Sequence, residues 1–403
     1  TGQTSFARDF ALSESAESKF IRTLQDDYRI NRSYAQMQLE RLGRIGFSLD
    51  EQTFFVAQAL RSIGLTEQFS RFIILTGHGS KSDNNPYESA LDCGACGGNH
   101  GIVSARVLAH MGNKPEVRRR LRKEGIDIPD DAWFLPAFHN TTSDEIKLHD
   151  LDLLPASHLV YLDRLRNGLR AATRRTATER LQTLEPGTDP AIDTVKATRK
   201  IQRNTVDWTQ VRPEWGLARN AGFIIGRRHL TEATDLEGRT FLQSYDYRVD
   251  PKGRLLESIL TGPLVVGQWI NMEHYFSAVD NDHYGSGSKA YHNVAARLGV
   301  ITGNLSDLRT GLPSQTVLYD GLPYHDPVRL LTVIEAPFEH ARGAIDGVSG
   351  VKSLVTNGWV LVVILDPETG HLHRFVDGEW RQESLPQADT DATDQPAAEE
   401  ISA

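Results

Sequence analysis

A short apolar segment that ends in glycine and histidine places the strongest constraint on the fold of this chain. Residues 72–76 (Phe-Ile-Ile-Leu-Thr) are followed by Gly77 and His78. A continuous apolar run of this length is typical of a strand that is buried on both faces, as in a parallel sheet. Residues 132–138 form a second strand-like run, and a helix is predicted from Ile102 onward between them. This β-α-β order predicts an α/β fold.

Composition limits the class of protein. The chain has 403 residues, of which 39% are hydrophobic and 24% are charged, as in soluble globular proteins. Its formal net charge of −9 argues against a general nucleic-acid-binding protein. No apolar run reaches the ~20 residues that span a bilayer. A secretory leader is not recognisable, and the two cysteines do not form a disulfide framework, so we expect a reducing cytosolic compartment.

Helical patterns flank the first strands. Ser48, with Glu51 three residues later, is a capping-box pattern that predicts a helix start. The apolar face predicted for this helix consists of Phe54, Phe55, Ala57, Leu60 and Ile63.

Residues 155–205 are helical by pattern, rich in arginine, and interrupted by a turn-forming segment at residues 186–190. The predicted core-facing stripe contains Leu162, Leu165, Leu169 and Ala172. The arginines are typical of a solvated helix face, and the alternative is contact with an acidic partner or lipid headgroups.

Further strands are predicted in the second half of the chain, which is otherwise rich in loops. The apolar runs are residues 223–225, 264–266, 330–334 and 359–365, with a hairpin turn at residues 366–370 and a strand at residues 373–376.

One histidine and the only two cysteines fall within the first strand–loop–helix segment. His78 follows the strand, and Cys93 and Cys96 precede the helix. Imidazole nitrogen and thiolate sulfur are the ligands that zinc prefers. A helix N-terminus also lowers the pKa of a nearby thiol. The segment therefore predicts a zinc site.

Several arrangements of these residues compete. In a closed site, His78, Cys93, Cys96 and His100 would form one structural zinc centre. In an open site, His78 and Cys93 would supply two ligands and the other ligands would come from elsewhere. Cys93 and Cys96 are also spaced as a redox dithiol. Buried cysteines and a hydrogen-bonded histidine without a metal would fit the same spacing.

Longer motifs extend through the chain. They are residues 77–80 (Gly-His-Gly-Ser), 84–86, 89–98, 139–144, 212–218, 271–277, 284–289 and 303–313. Together they resemble the DabA family, the soluble subunit of a bacterial inorganic-carbon uptake system. The motifs are long and ordered, and the resemblance covers nearly the whole chain, to about residue 380.

The resemblance implies a fold and a metal site. The family is similar to β-type carbonic anhydrases at its core, which implies a mainly parallel central sheet with helical and loop-rich additions. Its Zn2+ ion is held by a Cys-x-Asp-x-Arg motif and by a downstream His and Cys, which correspond to His78 and Cys93. Cys96 is not a ligand in the family pattern. Because no cysteine precedes His78, we expect this chain to be the carboxyl-terminal half of a larger or split protein.

The resemblance and the sequence patterns together predict five segments. These are a helical segment (1–70), half of a carbonic anhydrase-like zinc core (71–154), an arginine-rich helical insertion (155–205), a loop-rich α/β region (206–382) and a disordered acidic tail (383–403).

The resemblance also implies a function. It implies zinc-dependent hydration of CO2 to bicarbonate in a CO2-concentrating mechanism, active only with the complete site and with a DabB-like, ion-translocating membrane partner. A missing amino-terminal portion or chain would carry the Cys-x-Asp-x-Arg motif. The subunit would be peripheral, at the cytoplasmic face of the bacterial inner membrane, without nucleic acid. The alternatives are a non-enzymatic docking module with a closed zinc site and a C-x-x-C redox protein.

The segment after the second predicted strand is polar. It contains His139, Asn140, Thr141, Thr142 and Asp144. By analogy with metal sites in general, these residues are expected to line a CO2 pocket or to orient His78. The alternative is a polar turn at the strand end. His274 and His283 are treated as ordinary core or surface histidines.

Overall fold

A computed structural model describes residues 46–81, 99–185, 187–206, 217–285, 294–295, 298–299, 312, 317–319 and 322–384. The chain divides into two compact units, one of Thr1–Ala59, Thr66–Ile73 and Val107–Phe134, the other of Leu60–Leu65, Ile74–Arg106 and Leu135–Ala403. Residues 1–45 of the predicted helical segment (1–70) and both cysteines lie outside the described residues. Among those described, no helix is long and apolar enough to span a bilayer.

The secondary structure is mixed α/β, which confirms the predicted class. The helices are α1 (Leu49–Ser62), α2 (Ile102–Gly112), α3 (Pro115–Lys123), α4 (Ala156–Leu184), α5 (Thr194–Asn204), α6 (Arg254–Thr261), α7 (Pro263–Tyr284), α8 (Phe338–Gly347) and α9 (Ser349–Thr356). The strands are β1 (Phe72–Gly79), β2 (Trp133–Asn140), β3 (Glu145–Leu148), β4 (Gly222–Gly226), β5 (Thr240–Ser244), β6 (Val294–Ala295), β7 (Leu298–Gly299), β8 (Leu318–Tyr319), β9 (Leu322–Pro323), β10 (Leu330–Glu335), β11 (Val360–Leu365), β12 (His371–Val376) and β13 (Glu379–Ser384).

A three-stranded sheet in the order β1-β2-β3 contains the segment around His78. The amide of Trp133 donates to the carbonyl of Arg71, and that of Thr141 donates to Gly79. The donor lies 62 residues after its acceptor in both bonds, so β1 and β2 are parallel. Strand β3 pairs with β2 in the antiparallel direction. Both strands predicted here are confirmed, and both extend further than the apolar runs.

A six-stranded sheet in the order β13-β12-β11-β10-β4-β5 occupies the second half of the chain. Strands β11, β10, β4 and β5 are parallel, whereas β12 and β13 are antiparallel additions. Side chains at alternate positions, such as Ile334 and Ile364, are buried with residues of α6, α8 and α9. Leu331 and Leu361 point to the opposite face and are exposed. The mainly parallel sheet is thus larger in this region than around His78.

Most strands predicted in this half are confirmed, including the hairpin between β11 and β12. The strand predicted at residues 264–266 is wrong, because these residues lie in the first turn of α7. Pro263 occupies the first position of that helix, where the missing N–H costs nothing. A three-residue apolar run does not distinguish a buried strand from a buried helical turn.

Helix α1 begins at the predicted capping box. The Ser48 amide donates to the Glu51 carboxylate at 2.7 Å, and the Glu51 amide donates to the Ser48 hydroxyl at 3.3 Å. The predicted apolar face is partly wrong, since Phe54 is 57% exposed and Phe55 is 41% exposed. The buried side instead follows helical spacing through the positions Thr53, Val56, Ala57 and Leu60.

A buried arginine organises the first unit. The guanidinium of Arg118, in α3, donates to the carbonyls of Gly112, Pro129 and Ala132 at 2.9, 3.1 and 2.7 Å. Burial lowers the pKa of this guanidinium. The guanidinium N–H groups donate to backbone carbonyls that precede β2. Arg118 therefore fixes the segment that leads into that strand.

Helices α4 and α5 are separated at the predicted break and pack together. Ala177 and Leu181 of α4 form a buried cluster with Ala197 and Ile201 of α5. Ala172, which was predicted to face the core, is exposed. Strand β13 includes Glu383 and Ser384, and residues 385–403 of the predicted acidic tail lie outside the described residues.

Candidate functional site

His78 lies one residue before the end of β1 and is half-buried. Its carbonyl accepts a hydrogen bond of 2.8 Å from the amide of Gly101. A Cβ atom on Gly77 would lie 2.2 Å from the carbonyl carbon of Gly101, so the two backbones meet at a distance that only glycine permits. The chain that leaves the cysteine segment therefore returns directly to the strand that carries His78. Cys93 and Cys96 lie outside the described residues.

His78 and His139 are neighbours in register. Both parallel strands are eight residues long, and β2 begins 61 residues after β1, which pairs His78 with His139. Residues paired in this way lie on adjacent strands, about 4.8 Å apart, with side chains on the same face. The fold therefore brings two imidazoles to the carboxyl ends of two parallel strands, the edge where α/β sheets carry ligands.

His139 is held by a buried carboxylate. Its Nε2 atom lies 3.0 Å from Oδ1 of Asp144, which is 7% exposed. The other oxygen of Asp144 accepts from the Nε and Nη2 atoms of Arg180 at 2.8 and 2.7 Å. The backbone of Asp144 has a positive φ of 57°, and its carbonyl accepts from the Thr173 hydroxyl. Helix α4 thus contacts the end of β2 through Arg180 and Thr173.

The electrostatics of this cluster keep Asp144 ionised. Burial by itself would raise the pKa of the Asp144 carboxyl, but the hydrogen bond from His139 and the charge and hydrogen bond of Arg180 together hold that pKa below its ordinary value. Because Nε2 of His139 faces this carboxylate, Nε2 carries the proton and Nδ1 of the neutral ring keeps a lone pair.

Hydroxyl groups join the ends of β1 and β2. The buried hydroxyls of Ser80 and Thr142 lie 3.2 Å apart, and the amide of Lys81 donates to Thr142 at 3.1 Å. The Thr141 amide donates to the carbonyl of Gly79 at 3.1 Å. The polar residues after β2 therefore form a hydrogen-bonded connection between the strands. The prediction that they line a pocket or orient His78 stays a prediction.

His100 packs beside the same strand ends. Its Nε2 atom lies 3.2 Å from the carbonyl oxygen of Ser80, and its ring centroid lies 4.9 Å from that of Phe138. A carbonyl accepts, so Nε2 donates and only Nδ1 of the neutral ring has a lone pair for a metal.

The described residues fit part of a zinc site. The strand ends carry imidazole side chains, one of the donor types that zinc accepts. Among the residues that the structure describes, no group of three or more His, Cys, Asp and Glu side chains could hold a metal ion. Further donors would have to come from outside the described residues, where Cys93 lies.

Arg180 is the residue of this cluster that sequence reasoning missed, because it was grouped with the solvated arginines. It is 17% exposed and paired with Asp144. Its position carried a usable signal. Arg180 follows Leu162 by five full helical turns and Thr173 by seven residues, so all three lie on the core-facing side of α4.

A second polar cluster lies at the carboxyl edge of the six-stranded sheet. Arg227 follows β4 and donates from Nε to the carboxylate of Glu335, the last residue of β10, at 2.9 Å. The Arg227 amide donates to the same carboxylate at 2.8 Å. Nearby, the Tyr245 hydroxyl donates to Asp250 at 3.1 Å and lies 3.2 Å from Nε2 of His340. These bonds satisfy the cluster internally.

His325 is a buried histidine that the sequence analysis did not single out. It is 0% exposed, its Nδ1 atom accepts from the amide of Arg219 at 2.8 Å, and its ring lies 5.2 Å from that of His274. Burial and the nearby charge of Arg239 lower the pKa of His325 to about 4. His274 is buried and His283 is exposed, as ordinary core and surface histidines.

Comparison with known proteins identifies close relatives. The chain is 68% identical over 378 residues to the "Probable inorganic carbon transporter subunit DabA1" of Halothiobacillus neapolitanus, which covers 94% of this chain and 36% of the relative. It is 67% identical over 380 residues to the DabA protein of Thiobacillus denitrificans, with the same coverage. The DabA protein of Aquifex aeolicus is 50% identical over 367 residues, 91% of this chain and 36% of the relative.

The chain spans about a third of the length of these curated relatives. No solved structure matches it. The family described as "Probable inorganic carbon transporter subunit DabA" matches residues 5–360. On this match and these identities, the chain belongs to the DabA family.

Proposed function

We propose that this chain is part of the soluble subunit of an energy-coupled uptake complex for CO2 and bicarbonate. Its relatives are named as probable inorganic carbon transporter subunits, which supports a role in carbon uptake. The observation that carries the chemical part of the proposal is the placement of His78 beside His139 at the ends of two parallel strands. The partner would be a DabB-like membrane subunit at the cytoplasmic face of the bacterial inner membrane.

In the proposed site, His78 and Cys93 hold zinc together with two ligands from a Cys-x-Asp-x-Arg segment elsewhere in the protein or complex. Zinc, when bound, makes hydroxide available near neutral pH for attack on CO2. His139 lies beside His78 with its ring orientation fixed by Asp144. The Ser80–Thr142 contact holds the two strand ends together, and the proposal assigns to it the role of keeping the two imidazoles adjacent.

Metal content of the full-length subunit tests this assignment. Purified protein with His78→Gln or Cys93→Ser should lose its zinc in elemental analysis, because each change removes a ligand. Cys96→Ser is the matched control, since it removes the neighbouring thiol and should leave zinc bound at one equivalent. Zinc retained in both ligand variants would overturn the proposal.

The same variants separate the two alternatives. In a closed structural site, Cys96→Ser would lose zinc together with Cys93→Ser, and this chain alone would bind zinc tightly. In a redox protein, Cys93 and Cys96 would form a reversible disulfide, and either serine variant would abolish it. The open zinc site also predicts a result in cells. In a strain that lacks the subunit and needs added bicarbonate, the Cys96→Ser protein should restore growth without added bicarbonate, and the Cys93→Ser protein should not.

A further inference from the structure

A groove of about 710 Å³ lies in the second unit between β3 and the two helices α4 and α5. All four residues of β3 line it, together with Leu169 and Thr173 of α4 and Thr198 and Gln202 of α5. The groove exists because α5 has 11 residues and α4 has 29, so α5 covers only the carboxyl-terminal part of α4.

The groove is positively charged. Arg166, Arg170 and Arg174 line one side, and Lys147 of β3 contributes a fourth cation. The arginines are spaced by four residues, so they form a row on one helix face with a rise of about 6 Å between neighbours. Of the residues that the structure describes, two with acidic side chains line the groove, Glu145 and the exposed Asp163, which lies 3.8 Å from Arg166. Among the described residues, Arg174 and Lys147 have no carboxylate within ion-pair distance.

The other side of the groove is a strand with apolar positions. Ile146 and Leu148 of β3 and Leu169 of α4 are half-buried and line it. Strand β3 is the last strand of its sheet, and in the described part of the chain no strand pairs with its outer side. Such a combination of apolar strand positions and a row of cations suits an extended acidic peptide.

We propose that the groove binds the acidic carboxyl-terminal segment of this same chain, residues 385–400, in an extended conformation. The segment contains Asp389, Asp391, Asp394, Glu399 and Glu400 and no Lys or Arg. In an extended chain, Asp389 and Asp391 point to the same side about 6.6 Å apart. That repeat matches the rise between successive arginines on α4.

Residues 385–400 are long enough to reach the groove from the end of β13. It starts after Ser384, which pairs with His371 at the carboxyl edge of the six-stranded sheet. Tyr324 connects the sheet with α4, because burial raises its pKa while the charge of Arg180 in α4 and a hydrogen bond with Arg219, just before β4, lower it. From β13 to β4 there are four strand spacings, about 20 Å, and the length of a six-residue strand adds about 20 Å in the perpendicular direction. Sixteen extended residues span about 50 Å.

Peptide binding tests the proposal. The chain shortened after Ser384 should bind a fluorescent peptide of residues 385–400 in anisotropy titrations, and high salt should weaken this binding. Replacing Arg166, Arg170 and Arg174 by Ala should weaken it about tenfold, as expected for three partly exposed ion contacts. The control variant with Arg164, Arg175 and Arg199 replaced by Ala removes three exposed arginines that do not line the groove, and should change binding less than twofold.

The full chain should bind the labelled peptide more weakly than the shortened chain, because its own segment occupies the groove. Three results would overturn the proposal. They are an equal loss of peptide affinity in both triple variants, equal peptide affinity of the full and shortened chains, and undiminished binding of a peptide with scrambled sequence. If the groove triple variant does not fold, as judged by circular dichroism, Arg174→Ala in the shortened chain gives the same comparison against Arg175→Ala.

Discussion

At the scale of single residues, Asp144 is the group on which the candidate site depends most. Its carboxylate is buried, and each oxygen has a different cationic or hydrogen-bonding partner, His139 or Arg180. Its left-handed backbone costs about 1 kcal/mol for a residue with a side chain. The paired contacts offset that cost, and they fix the ring that lies beside His78.

Replacing Asp144 by Asn is therefore expected to lower the free energy of unfolding by about 2–4 kcal/mol at pH 7. The change leaves the guanidinium of Arg180 mostly buried without its counter-charge, and the range allows for its partial exposure. Urea denaturation of purified protein measures it. Asp163→Asn, at a side chain that is 89% exposed, is the matched control and should change stability by less than about 0.5 kcal/mol.

The difference between wild type and Asp144→Asn should also depend on pH. The pKa of Asp144 is lowered in the folded state, so the unfolded chain takes up a proton at a higher pH than the folded chain. The stability contributed by the carboxylate is complete above the unfolded pKa of about 4 and is lost as pH falls through the folded value. A difference that stays constant down to the acid transition would contradict this explanation.

His325 should also cause a loss of stability in acid, over a pH range different from that of Asp144. The unfolded chain binds a proton near pH 6.5, whereas the folded pKa is about 4, so stability falls as pH decreases between these values. The expected loss is up to about 3 kcal/mol. His325→Asn keeps an acceptor for the Arg219 amide and should abolish this loss in urea titrations at pH 7 and pH 4.5. His229→Asn, at an exposed position, should retain it.

At the scale of elements, α1 shows which part of a helix a local pattern predicts. The capping box is a contact between residues three apart, and it occurs where the sequence places it. The buried side of α1 depends on what the helix packs against. Phe54 and Phe55 contact each other at 5.6 Å between ring centroids and remain exposed, while Thr53 is buried. Successive residues of an α-helix are about 100° apart, so a buried stripe through Val56 and Leu60 turns Phe54 and Phe55 away from the core.

Ser48→Ala should lower the free energy of unfolding by about 1 kcal/mol, because the first turn of α1 loses the hydroxyl that accepts from the Glu51 amide. Thermal or urea unfolding measures this. Ser48→Thr keeps a capping hydroxyl and should restore most of the loss. An unchanged midpoint in the alanine variant would mean that solvent satisfies this helix end equally well.

At the scale of the whole molecule, the six-stranded sheet has a reversal of strand order between β4 and β10. Strand β5 follows β4 on one side, and β11 follows β10 on the other. Open α/β sheets usually bind ligands in the crevice at such a point. In this chain, the ion pair between Arg227 and Glu335 lies at that crevice. The pair therefore joins the two halves of the parallel sheet.

Glu335→Gln should destabilise the protein by about 2–4 kcal/mol, since Glu335 is fully buried and its removal leaves Arg227 without a counter-charge. Chemical denaturation followed by tryptophan fluorescence reports this loss. The comparison variant is Glu237→Gln, which breaks the more exposed pair with Arg219 at 3.2 Å and should cost less than about 1 kcal/mol. Equal effects of the two variants would refute the assigned role of Glu335.

The amino-acid sequence by itself determined the local features of this protein. The α/β class, most strands, the helix start at Ser48 and the break after α4 follow from patterns within a few residues, because backbone preference and periodicity act over that range. His78 was identified because a strand end and a zinc-ligand residue type coincide. Family membership likewise follows from motifs that can be read along the chain.

Only the tertiary structure decided which distant residues meet. The register that places His139 beside His78, the pairing of Arg180 with Asp144, the helical state of residues 264–266 and the exposure of Phe54 all depend on contacts between segments far apart in sequence. Strand register and burial are set by packing of whole elements against one another, and the free energy of that packing is not encoded in any local window.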